Sequence, residues 1–394
     1  MAQLIGNLFS IVVILGGTLR YFSNFPPFRS LWYLQLVVSE LGLLLAIPLL
    51  AVMIFNLFFL LESNQIISRL SIIFSTLAIF VALLPALETI GQERNWLWDL
   101  SYGRGNDQRP DPKISSPYVG KIERPLFKFS DFFERPIHPV PQTEIFVTRD
   151  GSSLPILVYQ SLVAKTPHRW ILSIHGGGWS SGDPSDFDHT IPYLLKAGIS
   201  VVSPAYRLAP KSTWPDQQKD AEAAYEYVAK NSDRFELDLN DLWLLGRSAG
   251  GQIALKLAYD SKIVKNVKGV IALYTPTDID FGYHWTEAED ILDSRSLLKE
   301  FIGATPDQDP EKYKAASPIQ DVNSHSPKTL LISGRADPLT WYRHSNRLAD
   351  ALKSAKVRVI HIELPWATHG FDYFVNSPAG QITRNAIFRF METD

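Results

Sequence analysis

Two short runs hold the residue types that acyl-transfer chemistry needs. His175-Gly176-Gly177-Gly178-Trp179 closes one apolar stretch, Trp170 to Ile174, and Gly246-Arg247-Ser248-Ala249-Gly250 closes another, Leu242 to Leu245. In the first, consecutive glycines let backbone N–H groups approach a ligand with no Cβ in the way, so the loop can hold a negatively charged oxygen. In the second, a serine sits among small residues ahead of a helical pattern, Ile253, Ala254, Leu257 and Ala258. Strand, tight G-x-S-x-G turn and helix are the setting that presents a serine hydroxyl on a sharp corner as a nucleophile. Three glycines can also be a flexible turn, and G-x-S-x-G alone arises by chance in many chains; the flanking strand and helix give the motif its weight.

A serine hydroxyl is a weak nucleophile at neutral pH, so it needs a base, and the base needs an orienting acid. Asp337, in Gly334-Arg335-Ala336-Asp337-Pro338, and His369, in Thr368-His369-Gly370-Phe371, each follow an apolar run. If those runs are parallel strands of one sheet, their C-terminal ends share an edge. Ser248, Asp337 and His369 then converge despite separations of 89 and 32 residues. Of the nine histidines, His361 lies inside a strand-like run and reads as structural, His175 reads as shaping the glycine loop, and His284 and His344 have no assigned part. The absence of cysteine excludes disulfides, thiol catalysis and cysteine-based zinc sites. Serine chemistry of this kind requires no metal and no organic cofactor, and a net charge of -3 without a basic cluster makes no case for nucleic acid.

The elements that must position these groups are legible as alternating runs. Residues 144–148, 154–159, 170–174, 199–203, 242–245, 270–274, 329–332 and 357–362 are short apolar or alternating stretches, giving eight candidate strands. Helical patterns fall between most of them from the third onward, Ala221, Ala224, Tyr225 and Val228 being one face. This predicts an α/β fold with a mostly parallel eight-stranded sheet covered by helices on both faces. The Asp150-Gly151 turn joins the first two strands as an antiparallel edge hairpin. Residues 275–326 exceed what one crossover needs and are expected to supply a lid or pocket wall.

Residues 1–90 are a different solvent problem. They carry six formal charges that sum to zero: Arg20, Arg29, Glu40, Glu62, Arg69 and Glu88. Residues 41–61 and 70–87 are free of charge and long enough to cross a hydrocarbon core as a helical hairpin, and 4–19 is a third, weaker span. Two buried core helices are the bland alternative, but two such runs in tandem are unusual in a soluble domain. With no lysine or arginine ahead of it, the first run does not read as a cleaved signal. Glu40 is expected at the interface, clear of the roughly 2.5–3.5 kcal/mol cost at the bilayer centre. Trp32, Tyr33, Trp96 and Trp98 are expected as interfacial aromatics. Three spans put Arg20, Arg29, Arg94 and Arg104 on one side against Arg69 on the other, which predicts a multi-pass membrane protein with a cytoplasmic large domain. Residues 91–143, with seven prolines from Pro110 onward, read as a linker without long helix or central strand, and 144–394 as the folded catalytic domain.

With these motifs in hand, the chain resembles the α/β-hydrolases of the hormone-sensitive-lipase and carboxylesterase type, including their feruloyl-esterase-like and formamidase-like relatives. The resemblance spans roughly residues 140–394. It rests on the two glycine motifs, on Tyr206-Arg207-Leu208-Ala209-Pro210, and on Asp337 and His369. It implies Ser248 as nucleophile, His369 as base and then acid, Asp337 as the orienting carboxylate, and an oxyanion hole from Gly177, Gly178 and Ala249. Lipase-like members often carry Asp where this chain has Arg247. The expected activity is hydrolysis of carboxylic esters, small or lipid-like, by a membrane-anchored enzyme. Amide or formamide hydrolysis and acyl transfer to a lipid alcohol share the same triad, and a non-catalytic receptor or scaffold would keep the fold alone. Trp179, Trp285, Trp341 and Trp366 are candidates to line an apolar pocket.

Overall fold

The computed structural model describes residues 2–18, 29–63, 66–102, 125–163, 167–186, 188–286 and 290–392. Arg20, Arg104 and Leu19 lie outside the described residues, as does the Trp98 side chain.

Eight strands form one sheet: β1 (Gln142–Val147), β2 (Ser153–Tyr159), β3 (His168–Ile174), β4 (Ile199–Pro204), β5 (Leu237–Arg247), β6 (Val267–Leu273), β7 (Thr329–Gly334) and β8 (Val359–Leu364). Their order across the sheet is β1-β2-β4-β3-β5-β6-β7-β8. β1 and β2 pair antiparallel, β2 meets β4 antiparallel, and every neighbour from β4 to β8 is parallel. The helices of this domain are α4 (Ile191–Lys196), α5 (Asp216–Lys230), α6 (Ser232–Phe235), α7 (Ala249–Tyr259), α8 (Ile279–Trp285), α9 (Ser294–Ile302), α10 (Pro310–Ala315), α11 (Arg343–Ser354) and α12 (Pro378–Glu392).

Strand alternation explains why both faces are covered. On β5, Leu242 and Leu244 point into one core with α5, α7 and α11, while Trp243 and Leu245 point into the other with α4 and α12. A strand buried on both sides needs apolar residues at consecutive positions, which is the unbroken run seen in the sequence. The parallel strands end on one edge, and the loops after β3, β5, β7 and β8 open there.

Among the described residues, three α-helices precede the sheet: α1 (Ala2–Thr18), α2 (Arg29–Ser63) and α3 (Ile66–Tyr102). Within α2 and α3, Ser30–Phe58 and Ile66–Gln92 are long and apolar enough to cross a membrane; α1 is shorter. The three pack on each other through Val13, Val38, Leu49, Ala78 and Ala82, and leave Ile47, Phe58, Ile73 and Phe80 more than half exposed. Both long helices run well past the uncharged stretches predicted to span. α3 continues through residues 91–102, where the linker reading predicts no long helix; residues 103–124 of that linker lie outside the described residues. This added length docks on the eight-stranded domain. Trp96 is buried 6.2 Å from Trp366 and joins the core shared by β5, β8 and α12.

Candidate active site

Ser248 stands between β5 and α7 with φ 52° and ψ -123°, a left-handed conformation that a non-glycine residue holds only under surrounding constraint. The constraint is close packing. A Cβ on Gly250 would sit 2.2 Å from the His175 carbonyl oxygen and 2.3 Å from that of Ile174, so only glycine lets α7 start against the end of β3. The corner holds the serine hydroxyl at the sheet edge.

Two other loops reach it. His369, after β8, has Nε2 2.9 Å from Ser248 Oγ and Nδ1 2.8 Å from Asp337 Oδ2. Asp337, after β7, is buried, and its Oδ1 accepts the N–H groups of Leu339 and Thr340 at 2.8 and 2.9 Å. With the Nδ1 proton directed at this carboxylate, Nε2 is free to accept from the serine hydroxyl. All three predicted side chains therefore meet in one hydrogen-bonded line.

The glycine loop faces them. Gly177 and Gly178 hold φ of 108° and 58°, which only glycine adopts readily. With Ala249 they line the cavity beside Ser248. The loop is braced from behind: the Tyr206 hydroxyl donates to the carbonyls of His175 and Gly176, both at 3.2 Å, and its ring stacks on His175 at 4.2 Å. Burial pushes the His175 imidazole below its ordinary value, keeping it neutral and structural. Arg207, next in that motif, is held by Asp220 through contacts of 2.8 to 3.1 Å. His361 bonds Ser333 Oγ at 2.9 Å inside the sheet, as a structural histidine would.

Arg247, the departure from the lipase-like pattern, has its own partner. Its Nε donates to Asp372 Oδ2 at 2.6 Å, and Tyr274 Oη donates to Asp372 Oδ1, also at 2.6 Å. Burial first, then the Asp372 charge, pushes the Tyr274 phenol well above its usual range, so it stays a donor. The Tyr274 ring packs edge-on against His369 at 4.6 Å, placing this buried trio directly behind the histidine.

The cavity over Ser248 has a volume of about 470 Å³. Segment 275–326 supplies much of its wall, Leu292, Leu297 and Leu298 among them, as its length predicted. Of the four tryptophans proposed as lining, Trp179 lines it. Trp366 is fully buried core, and Trp285 and Trp341 cluster with Phe281 outside the cavity wall. His344, without a part in the sequence reading, does line it. It is buried with its Nδ1 accepting the Thr277 N–H at 3.3 Å, and burial, reinforced by Arg347 and opposed by Asp278, pushes it down to about 4. The lining residue least expected is Trp32 of α2, which the sequence reading set at a membrane interface. Glu40 likewise is not at an open interface: it is buried and accepts from Ser377 Oγ at 2.6 Å and Ala379 N at 3.3 Å.

The sheet order and the strained serine corner define an α/β-hydrolase. A family model described as BD-FAE matches residues 157–352, which takes in both glycine motifs and Asp337. Among curated proteins, esterase LipC of Mycobacterium tuberculosis is 27% identical over 237 residues, covering 56% of this chain and 57% of that protein. Versiconal hemiacetal acetate esterase of Dothistroma septosporum is 27% identical over 273 residues, covering 63% and 80%. The solved hyperthermophilic esterase of Pyrobaculum calidifontis superposes with a TM-score of 0.55 at 25% identity, over 64% of this chain and 86% of that one. The chain has the α/β-hydrolase fold and is similar in sequence to esterases of the hormone-sensitive-lipase and carboxylesterase type. The family model leaves residues 1–156 and 353–394 outside its match, and the chain spans 57% of the length of LipC.

Proposed function

We propose that this protein is a membrane-anchored serine hydrolase that cleaves carboxylic esters through an acyl-enzyme. The observation that carries the reading is the continuous line from Asp337 through His369 to Ser248, opening on a cavity walled by Gly177, Gly178 and Ala249. His369 Nε2 takes the Ser248 proton as Oγ attacks the ester carbonyl. The carbonyl oxygen becomes an oxyanion, and the N–H groups of Gly177, Gly178 and Ala249 hold it. Each such donor is worth about 10²–10³ in rate. The imidazolium, steadied by the Asp337 carboxylate, then gives its proton to the departing alkoxide. Water repeats the sequence on the acyl-serine, again with His369 as base, and releases the carboxylic acid.

The anchor is assigned to α2 and α3 as a hairpin, with α1 packed beside them as a third span. Arg29 and Arg94 fall at the hydrolase end of the hairpin and Arg69 at the other, which supports a cytoplasmic catalytic domain. The substrate is an apolar ester that fits a cavity of a few hundred cubic ångströms. In the full-length protein in detergent, Ser248→Ala abolishes turnover of p-nitrophenyl esters and labelling by a fluorophosphonate probe, while the protein still partitions with membranes. Turnover that survives this change rules the assignment out.

A further inference from the structure

Trp32 belongs to the first turn of α2, yet it walls the cavity that holds Ser248. The contact is part of a broader docking. Trp32, Gln35, Leu36, Ser39 and Glu40 follow one another at helical spacing along one face, and all but Trp32 are buried. Three of its five residues, Gln35, Ser39 and Glu40, are polar, as expected of a face turned toward protein and not lipid. Gln35 Nε2 donates to the Ala336 carbonyl at 3.3 Å, immediately before Asp337. Glu40 receives Ser377 and Ala379, where α12 begins after the turn that carries His369. The helix therefore contacts both loops that bring the acid and the base to Ser248, and its Trp32 lines the cavity between them.

We propose that α2 is part of the substrate-binding apparatus. Trp32 limits the length or bulk of the apolar group of the ester, so the N-terminal segment sets substrate selectivity as well as holding the protein in the membrane. This rests on the ester-hydrolase reading above. Trp32 shares the lining of the 470 Å³ space with Leu292, Leu297 and Leu298, and an indole there occupies room that a longer apolar chain would need. Replacing it with a small side chain opens room for several methylenes, and each methylene newly buried is worth severalfold in affinity.

The test uses the full-length protein in detergent micelles and p-nitrophenyl esters from acetate to dodecanoate. In Trp32→Ala, the ratio of kcat/KM for long to short esters rises by about tenfold, carried mainly by KM. Trp32→Leu, which keeps apolar bulk against the domain, shifts the ratio in the same direction by less, and Trp32→Phe restores most of the original profile. Ile47→Ala, on an exposed stretch of the same helix, leaves the ratio within about twofold. Fluorophosphonate labelling of Ser248 reports in parallel that the site is assembled. A ratio unchanged in labelled, active Trp32→Ala and Trp32→Leu overturns the selectivity role alone. Wild-type protein that neither labels nor turns over any ester overturns the hydrolase reading, and this role with it.

Discussion

Asp372→Asn removes a charge from the most enclosed polar cluster behind the site. The Asp372 carboxylate is 2% exposed and Arg247 5%, so water screens their attraction little. Two charge-assisted hydrogen bonds of 2.6 Å end on it, one from Arg247 and one from Tyr274. Bonds of this kind contribute about 1.5–3 kcal/mol each, and breaking a buried ion pair from one side costs about 3–5 kcal/mol. We expect Asp372→Asn to lower unfolding stability by about 3–5 kcal/mol. The assay is denaturant unfolding in detergent, followed by tryptophan fluorescence, with fluorophosphonate labelling as the readout of the site. Because the Tyr274 ring buttresses His369, kcat should fall more than KM changes. The double change Arg247→Met with Asp372→Leu removes both charges and should recover most of the lost stability, since apolar replacement of a buried pair is often neutral or better. A single-variant cost under about 1 kcal/mol, or a double variant as unstable as the summed single losses, refutes the reasoning.

Two further outcomes follow from buried groups. His344 is held down to about 4 from 6.5, so the unfolded chain binds its proton more readily than the folded one. The stability this group contributes is therefore complete above about pH 6.5 and is lost as pH falls toward 4, a change of about 3 kcal/mol. His344→Leu should flatten the stability profile in that window, and an unaltered acid slope counts against the assignment. Gly250→Ala forces a methyl against the His175 and Ile174 carbonyls and should cost about 1–3 kcal/mol or more, together with most fluorophosphonate labelling; a variant that labels at the wild-type rate contradicts the packing argument.

Much of the hydrolase domain could be read from residues because its elements advertise themselves locally. A doubly covered strand must be apolar throughout, and all eight runs coincide with observed strands. β5 begins at Leu237, earlier than its apolar run, because Asp238, Asn240 and Asp241 break the hydrophobic pattern between buried Leu237 and Leu242. The convergence of Ser248, Asp337 and His369 followed from sheet geometry alone. What escaped was tertiary. Hydropathy marks where a helix can meet lipid and is silent on where it meets protein, so the docking ends of α2 and α3 were missed. The clue was present in Gln35, Ser39 and Glu40, polar residues at helical spacing beside an uncharged run. Trp32 and Trp96 looked like interfacial aromatics because an indole suits a membrane boundary and a protein pocket equally well. The Asp372 partner of Arg247 lies 125 residues away and no local pattern joins them.

The placement of Trp32 on a continuous helix also acts as a ruler. The nine residues from Trp32 to Leu41 rise about 14 Å at 1.5 Å each, whereas a headgroup layer is roughly 5–8 Å deep. In a bilayer that takes up α2 from Leu41 onward, the wall formed by this indole stands clear of the leaflet by several ångströms. A molecule tethered by two long chains at glycerol depth would have to climb that distance before its ester reached the cavity. One with a single modest chain leaves the leaflet at far lower cost, so under the proposed anchoring the height of the helix would favour substrates that are readily lifted.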